Sequence, residues 1–326
     1  MNHLESAFAG EKSFRRYSVI FIVWRYFAMF IAVFLASNII GGIPLFIAII
    51  FKTISDPDIT AKLADNPNDL GILGFDPNVG LILMLIPFMI GLAAFMLLIK
   101  PLNHRSIHNV INGTGTIRWS RFFISALVWL IISAIYLIIY IKQDPLNFEL
   151  NNTTRTLIIL AVVSVIFIPF QAAFEEVLFR GYLMQGFAVL FRNRWLPILL
   201  TSILFGLMHS LNPEVKDFGF LIMMPQYILF GLIFGIITII DDGIEAAMGA
   251  HTANNIFLCI MVTNESSALQ TPALYEQLRV FPWIECGALL ISGIIFIVVL
   301  KIIFRWKNFS LIFGKVEAPG NTIQVP

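Results

Sequence analysis

The sequence predicts an all-α protein, a polytopic membrane helix bundle with about eight transmembrane helices. The chain is 58% hydrophobic and only 13% charged, whereas soluble domains carry roughly a quarter charged residues. Its mean hydropathy is +0.86, and apolar runs of about 20 residues, long enough to cross a bilayer, recur along it. Such a bundle needs only one membrane domain for its 326 residues.

The apolar runs give the predicted helices in order: roughly 18–40, 79–99, 122–141, 156–190, 197–211, 221–240, 245–263 and 283–304. The first run either continues past the Gly-Gly-Ile-Pro sequence at 41–44 or breaks there. The fourth run is too long for one simple crossing. We expect Pro169 to kink it and the part after Gly186 to lie along the membrane interface. The fifth run, at about 15 residues, is short for a full crossing.

The distribution of basic residues predicts the orientation. The first 17 residues are polar and the first apolar run is too long for a signal peptide, so we expect that run to remain as a membrane helix. An inside N-terminus puts 13 basic residues in cytosolic segments: Lys12, Arg15, Arg16, Lys100, Arg105, Arg118, Arg121, Arg192, Arg194, Lys301, Arg305, Lys307 and Lys315. The opposite side carries 6: Lys52, Lys62, Lys142, Arg155, Lys216 and Arg279. The positive-inside rule therefore places both termini in the cytosol.

The composition gives no support for a nucleic-acid partner or for a site built on cysteines. A net charge of +1 gives no reason to expect a nucleic-acid partner. The cysteines, Cys259 and Cys286, lie in apolar stretches and offer neither a disulfide framework nor a metal-ligand spacing.

Three short clusters place polar groups inside separate apolar runs: Phe174-Glu175-Glu176-x-x-x-Arg180, Phe205-x-x-x-His209 and His251-x-x-x-Asn255. A charge in a bilayer costs several kcal/mol unless partners or water surround it, so such residues indicate a functional site. Helical rise places Glu175 near the cytosolic leaflet and His251 about 9 Å inside its helix, with His209 farther in. We therefore expect one shared pocket that opens toward the cytosol, with His209 as its floor.

The first cluster combines an ion pair with a second carboxylate. Glu176 and Arg180 have the spacing of an intrahelical ion pair, and a buried arginine needs a carboxylate in any protein, so this pair also has a purely structural interpretation. Glu175 points about 100° away and is expected to find its partner on another helix. Burial raises the pKa of a carboxylate, which suits a general base that takes a proton from water.

The histidine clusters have two interpretations as well. His209 alone could be a hydrogen-bonded structural residue. His251 and Asn255 share a helical face, and their donors could hold a developing oxyanion; the alternative is polar contact between helices, which membrane bundles use often. Asn254, one residue away, fits that second role better.

The ordered set of motifs resembles the CPBP intramembrane proteases, also called the Abi family, which includes the CAAX prenyl endopeptidases. The resemblance covers about residues 155–262. Together with the predicted helices and orientation, it divides the chain into four parts: a cytosolic segment 1–17, N-terminal transmembrane helices 18–150, a catalytic core 151–265, and a last helix with a cytosolic tail 266–326. It also implies roles for the motif residues. Glu175 and His209 would activate water, His251 and Asn255 would stabilise the oxyanion, and Glu176 and Arg180 would hold the site together or assist it.

The resemblance leaves the metal question open. Glu175, His209 and His251 could in principle bind zinc with a position left for water. The sequence has no His-Glu-x-x-His, and the two histidines come from different helices. We therefore expect a reaction without metal, with zinc as the alternative cofactor.

The predicted function is an intramembrane endopeptidase that cuts a membrane-associated peptide or protein near the cytosolic face of a bacterial inner membrane. A secondary transporter would also bury carboxylates and histidines beside short helices, although the clusters do not repeat between the two halves of the chain. A non-proteolytic scaffold or immunity protein of the same fold is the other alternative. Neither the substrate, including whether it is prenylated, nor the oligomeric state follows from the sequence.

Overall fold

The computed structural model describes residues 3–8, 19–56, 58–65, 70–151 and 154–317. The chain is mostly helical there, as predicted. The helices are α1 Val19–Leu35, α2 Ile43–Ser55, α3 Asp58–Asp65, α4 Pro77–Asn103, α5 Ile107–Ile111, α6 Trp119–Gln143, α7 Thr154–Glu176, α8 Met184–Phe191, α9 Trp195–Met208, α10 Pro213–Phe218, α11 Phe220–Asp241, α12 Glu245–Met261 and α13 Pro282–Phe304. The strands are β1 Phe148–Leu150, β2 Val262–Thr263 and β3 Tyr275–Gln277. They form one sheet in the order β1-β3-β2, with β1 antiparallel and β2 parallel to β3.

Six helices of the described chain are long and apolar enough to cross a membrane: Trp24–Ser55, Pro77–Asn103, Trp119–Gln143, Thr154–Phe191, Phe220–Asp241 and Pro282–Phe304. The remaining two predicted crossings correspond to α9, with 14 residues, and α12, with 17 residues. The polytopic helical bundle is therefore confirmed, and the exact count of eight crossings stays a prediction.

The connections between helices gather at two ends of the bundle. Segments 3–8, 104–118, 192–194, 242–244 and 305–316 form one end, which we call the basic end. It is joined by the bridges Asn112↔Gly243 and Asn193↔Lys315. The described residues of segments 56, 58–65, 70–76, 144–151, 209–219 and 262–281 form the other, which we call the strand end because it carries the sheet. Ser266 donates to Asp217 there at 2.6 Å.

The first apolar run continues through its Gly-Gly sequence. Gly41 and Gly42 keep right-handed helical φ values of −65° and −75°, and a π-helical turn, Ala36–Ile40, joins α1 to α2. A Cβ on Gly41 would come within 2.5 Å of the Pro87 Cα. The absence of a side chain thus lets this run pack closely against α4.

The fourth run is also continuous, over residues 154–191. α7 passes through Pro169 to Glu176, a π-helical segment follows at Val177–Leu183, and α8 completes the run. The expectation that the part after Gly186 lies along the interface stays a prediction. α8 packs against α1 and α9, and Gly186 faces the Tyr26 ring so closely that a Cβ would meet it at 2.7 Å.

The centre of the bundle is α12, which packs mainly against α6 and α7. A Cβ on Gly249 would lie 2.1 Å from the backbone oxygen of Phe122 on α6. Small residues allow such close approach between membrane helices. At the start of α12, Glu245 binds Arg118 at 2.5 Å, which fixes that helix at the basic end.

Candidate active site

The predicted site residues come from four separate parts of the fold. Glu175 and Glu176 end α7, Arg180 lies in the π-helical segment, His209 directly follows α9, and His251 and Asn255 lie on α12. The two glutamates, Arg180 and His251 are all buried, and Glu176 and Arg180 have no exposed surface. The structure thus brings charged groups together in the interior of the bundle.

The predicted ion pair is present. Arg180 Nη1 donates to Glu176 Oε1 at 2.9 Å, and both side chains are fully buried. The guanidinium also lies over the Phe205 ring, with 4.3 Å between its Cζ and the ring centroid. Arg180 Nε and Nη2 are buried without hydrogen-bond partners among the described residues. The guanidinium is therefore neutralised by one carboxylate and packed on an aromatic face.

His251 connects the two glutamates. Its Nδ1 lies 2.8 Å from Glu176 Oε1, and its Nε2 lies 3.6 Å from Glu175 Oε2. A carboxylate can only accept, so Nδ1 carries a proton in the first contact. The ring is stacked on Phe234 at 5.4 Å between centroids. The imidazole is thus held by a carboxylate at one nitrogen and by an aromatic ring at its face.

Glu175 has partners on two helices. One is His251 on α12, as the prediction of a partner on another helix requires. The other is Gln171, whose Nε2 lies 3.4 Å from Glu175 Oε1. Asn255 Nδ2 in turn lies 3.5 Å from Gln171 Oε1. Sequence reasoning missed Gln171, although its position four residues before Glu175 places both on one helical face.

His209 is held apart from this group. Its Nδ1 lies 2.8 Å from the Phe205 carbonyl oxygen, so Nδ1 is the protonated nitrogen and Nε2 has a free lone pair in the neutral ring. The imidazole stacks on Tyr227 at 4.5 Å. No hydrogen bond or ion pair joins His209 to Glu175, both of which are described. They instead line one cavity.

Asn254 makes the contact between helices that its position predicts. Its Oδ1 accepts from Trp129 Nε1 on α6 at 3.1 Å, and its Nδ2 donates to Asn255 Oδ1 at 3.0 Å. This pair of hydrogen bonds orients the Asn255 carboxamide, so that its Nδ2 group faces Gln171.

The shared pocket is a cavity of about 380 Å³ lined by Glu175, His209, His251 and Asn255 together with residues of the strand end. The expected position of His209 as the floor stays a prediction, and helical rise keeps the predicted order of depth from the basic end. His251 lies six residues into α12, about 9 Å from the basic end, whereas His209 follows all 14 residues of α9, about 21 Å away. Glu175 and His251 therefore line the part of the cavity nearer the basic end. The lining continues past His209 to Asn264, residues 266–269 and Gln277.

Two expectations about orientation concern this cavity. The basic end is the predicted cytosolic side, and the cavity was expected to open there. Its lining reaches the strand end instead. The cytosolic orientation of the basic end and the side on which the cavity opens both stay predictions.

The π-helical segment was not predicted. It begins directly after Glu176 and carries Arg180 and Gly181, and π turns are frequent at functional sites. A Cβ on Gly181 would lie 2.8 Å from Val110 Cγ1 and 2.9 Å from Val110 O. The glycine thus permits the segment after the glutamates to contact the 104–118 connection directly.

The N-terminal turn supports the same segment from the basic end. His3 Nε2 donates to the Arg180 carbonyl oxygen at 3.0 Å, and Gln185 Nε2 donates to the His3 carbonyl oxygen at 2.8 Å. Burial lowers the pKa of His3, which is consistent with a neutral ring in this position. Nothing in the local sequence around His3 indicates this contact.

The zinc alternative requires its three donors to converge. Within the described residues, no group of three or more His, Cys, Asp or Glu side chains is placed to hold a metal ion. Glu175 and His251 approach each other, but His209 does not join them as a third ligand. The residues present therefore do not fit zinc in this arrangement.

Fold and site together define a polytopic helical membrane protein with a buried carboxylate–histidine centre. The family model described as type II CAAX prenyl endopeptidase Rce1-like matches residues 153–257, which contain all three motifs. The chain is also 31% identical over 277 residues to the uncharacterized protein YyaK of Bacillus subtilis (strain 168), covering 84% of this chain and 90% of YyaK. No solved structure matches. The chain belongs to the CPBP family, as the motifs predicted, and is an integral membrane protein.

Proposed function

We propose that this protein is an intramembrane endopeptidase that hydrolyses a peptide bond in the cavity beside Glu175. The family relationship supports a peptidase. The observation that carries the proposal is the position of Glu175, a buried carboxylate that lines the cavity and has one oxygen, Oε2, without a hydrogen bond to the described residues. That oxygen lies 3.6 Å from His251 Nε2, and because it makes no hydrogen bond it can accept a proton from water.

In the proposed reaction, Glu175 and His209 activate the water. His209 accepts a hydrogen bond from the water at Nε2, because Nδ1 donates to the Phe205 carbonyl oxygen. Because the two side chains do not touch, the water and the scissile carbonyl would lie between them. Glu175 takes a proton from the water, and the hydroxide attacks the carbonyl carbon. The C–N bond then breaks, and the proton passes from Glu175 to the leaving amine.

His251 and Asn255 supply the oxyanion donors in this proposal. His251 Nδ1 donates to Glu176, so Nε2 can donate to an oxyanion only when the ring is doubly protonated. Asn255 Nδ2 has a second proton beyond its contact with Gln171. Glu176 and Arg180 position His251, and no step uses a metal.

The depth of Glu175 and His251 supports cleavage nearer the basic end, which is the predicted cytosolic face, with access through the cavity from the strand end. We further propose a bacterial inner membrane with both termini cytosolic, on the distribution of basic residues. A membrane-associated peptide or protein is the proposed substrate, with no nucleic-acid partner.

Glu175→Gln tests the function, because it keeps the size and removes the base. Turnover should fall by about 10² to 10⁴, the usual contribution of general-base catalysis. Peptide release is measured by mass spectrometry on purified protein in lipid, with melting in detergent as the control for folding. Unchanged turnover by a correctly folded Gln variant rules out the assigned base.

A further inference from the structure

The cavity contains two carboxylates that the proposed reaction does not use. Its lining includes Glu214 and Glu285 in addition to Glu175, and it includes no lysine or arginine of the described chain. Neither residue belongs to a motif. Each lies on a different wall, Glu214 on α10 and Glu285 on α13.

Glu214 lies close to His209. Its Oε1 accepts hydrogen bonds from the Tyr227 hydroxyl and from Asn212 Nδ2, the latter at 3.4 Å, and the Tyr227 ring stacks on His209. Its Oε2 is buried and has no hydrogen-bond partner among the described residues. A buried carboxylate oxygen without a partner has lost its hydrogen bonds to water. A donor that arrives with the substrate would replace them.

Glu285 lies in the first turn of α13, at the strand end. Its Oε1 accepts from Gln277 Nε2 at 3.0 Å, and in the described structure no basic side chain pairs with it. On α6, Tyr136 lines the same cavity and has a buried hydroxyl without a described partner. A carboxylate in a predicted membrane helix is costly without a cation, which makes it a candidate binding group.

We infer that the cavity binds a substrate segment that carries a positive charge, and that Glu214 and Glu285 bind that charge. Several carboxylates in a cleft with apolar walls create a negative potential that concentrates cations. A lysine or arginine side chain would form a charge-assisted hydrogen bond with either carboxylate. A free C-terminal carboxylate would be repelled. This inference names the substrate class of the proposed peptidase site and rests on that function.

The test uses binding rather than turnover. Three fluorescent peptides differ at one position, which is lysine, norleucine or glutamate, and their affinity for the purified protein in nanodiscs is measured by anisotropy. Parent and Glu175→Gln should both bind the lysine peptide roughly tenfold or more tightly than the norleucine peptide, as expected for a hydrogen bond to a charged group. The glutamate peptide should bind most weakly.

The double variant Glu214→Gln/Glu285→Gln should reduce the difference between lysine and norleucine to less than about threefold, since its amides keep the size and lose the charge. Glu149→Gln is the matched control, because Glu149 is an exposed carboxylate of the strand end that does not line the cavity. It should keep the full lysine preference.

Equal affinity of the parent for lysine and norleucine peptides would overturn the inference, as would a lysine preference that survives in the folded double variant. If the double variant fails to fold, salt titration of the parent decides: the lysine preference must shrink as salt rises, and a salt-independent result also overturns the inference. Binding with lysine preference but no cleavage by the parent contradicts only the proposed peptidase function. Cleavage without charge preference contradicts only the inference drawn here.

Discussion

The Arg180→Ala change separates stability from chemistry at the candidate site. Arg180 is fully buried, holds Glu176 Oε1 at 2.9 Å and packs on the Phe205 ring. Removal of the guanidinium leaves Glu176 as a buried carboxylate whose remaining contact is His251. Breaking a buried pair on one side typically costs about 3 to 5 kcal/mol, because the remaining charge has no compensation.

A second variant separates the cost of the unpaired Glu176 charge from the cost of the lost packing. Glu176→Gln/Arg180→Met removes both charges, keeps a carbonyl that can accept from His251 Nδ1, and retains an apolar chain over Phe205. Because neutral replacement of a buried pair is often harmless to stability, this variant should recover most of the loss. The free energy of unfolding is measured by denaturant titration in mixed micelles, with peptide cleavage recorded on the same preparations.

Two results would refute this reasoning. Arg180→Ala could unfold at the same denaturant concentration as the parent while losing activity, which would move Arg180 into the catalytic group. The double variant could be no more stable than Arg180→Ala, which would mean that the lost packing, and not the unpaired Glu176 charge, caused the destabilisation.

Asn255→Ala removes one proposed oxyanion donor and should slow turnover by roughly 10² to 10³ without abolishing it; an unchanged rate would exclude that role. Purified active protein should contain less than one zinc per chain and keep its activity after prolonged chelation, and loss of activity that zinc alone restores would overturn the metal-free mechanism. Gly249→Ala should destabilise the bundle by about 1 to 3 kcal/mol, because the added methyl group would lie 2.1 Å from the Phe122 backbone oxygen; Gly287→Ala, where a Cβ meets nothing within 4 Å, is the control and should melt like the parent.

Much of the fold follows from composition and spacing, because both act locally. Apolar runs of bilayer length predict crossing helices whatever their packing, and the Glu176–Arg180 contact depends only on helical periodicity. The family was identifiable for a similar reason, since its motifs are short and fixed in order. The sequence did not show whether the first run continues through Gly41, because that glycine packs against Pro87, a residue 46 positions away on another helix.

The arrangement of the site was harder to predict, since it depends on contacts between distant segments. Helical rise gave the relative depths of His209 and His251. It could not show that residues of the loop 262–281 line the cavity, because that depends on where the loop and its sheet pack. The contact between His3 and Arg180 joins residues 177 positions apart. The π-helical segment likewise depends on the close approach of Gly181 to Val110, which no local pattern specifies.

The shortness of α9 has a consequence for the surrounding lipid. Its 14 residues rise about 21 Å, less than the roughly 30 Å hydrocarbon thickness of a bilayer. Exposed apolar side chains lie at its end and just beyond it: Met208, the last residue of the helix, is 44% exposed, and Leu211, three residues later, is 89% exposed. A short apolar segment is accommodated by thinning of the bilayer beside it. Such hydrophobic mismatch would bring the headgroup region and its water toward His209, so the thickness of the host membrane becomes a determinant of how readily water reaches the site.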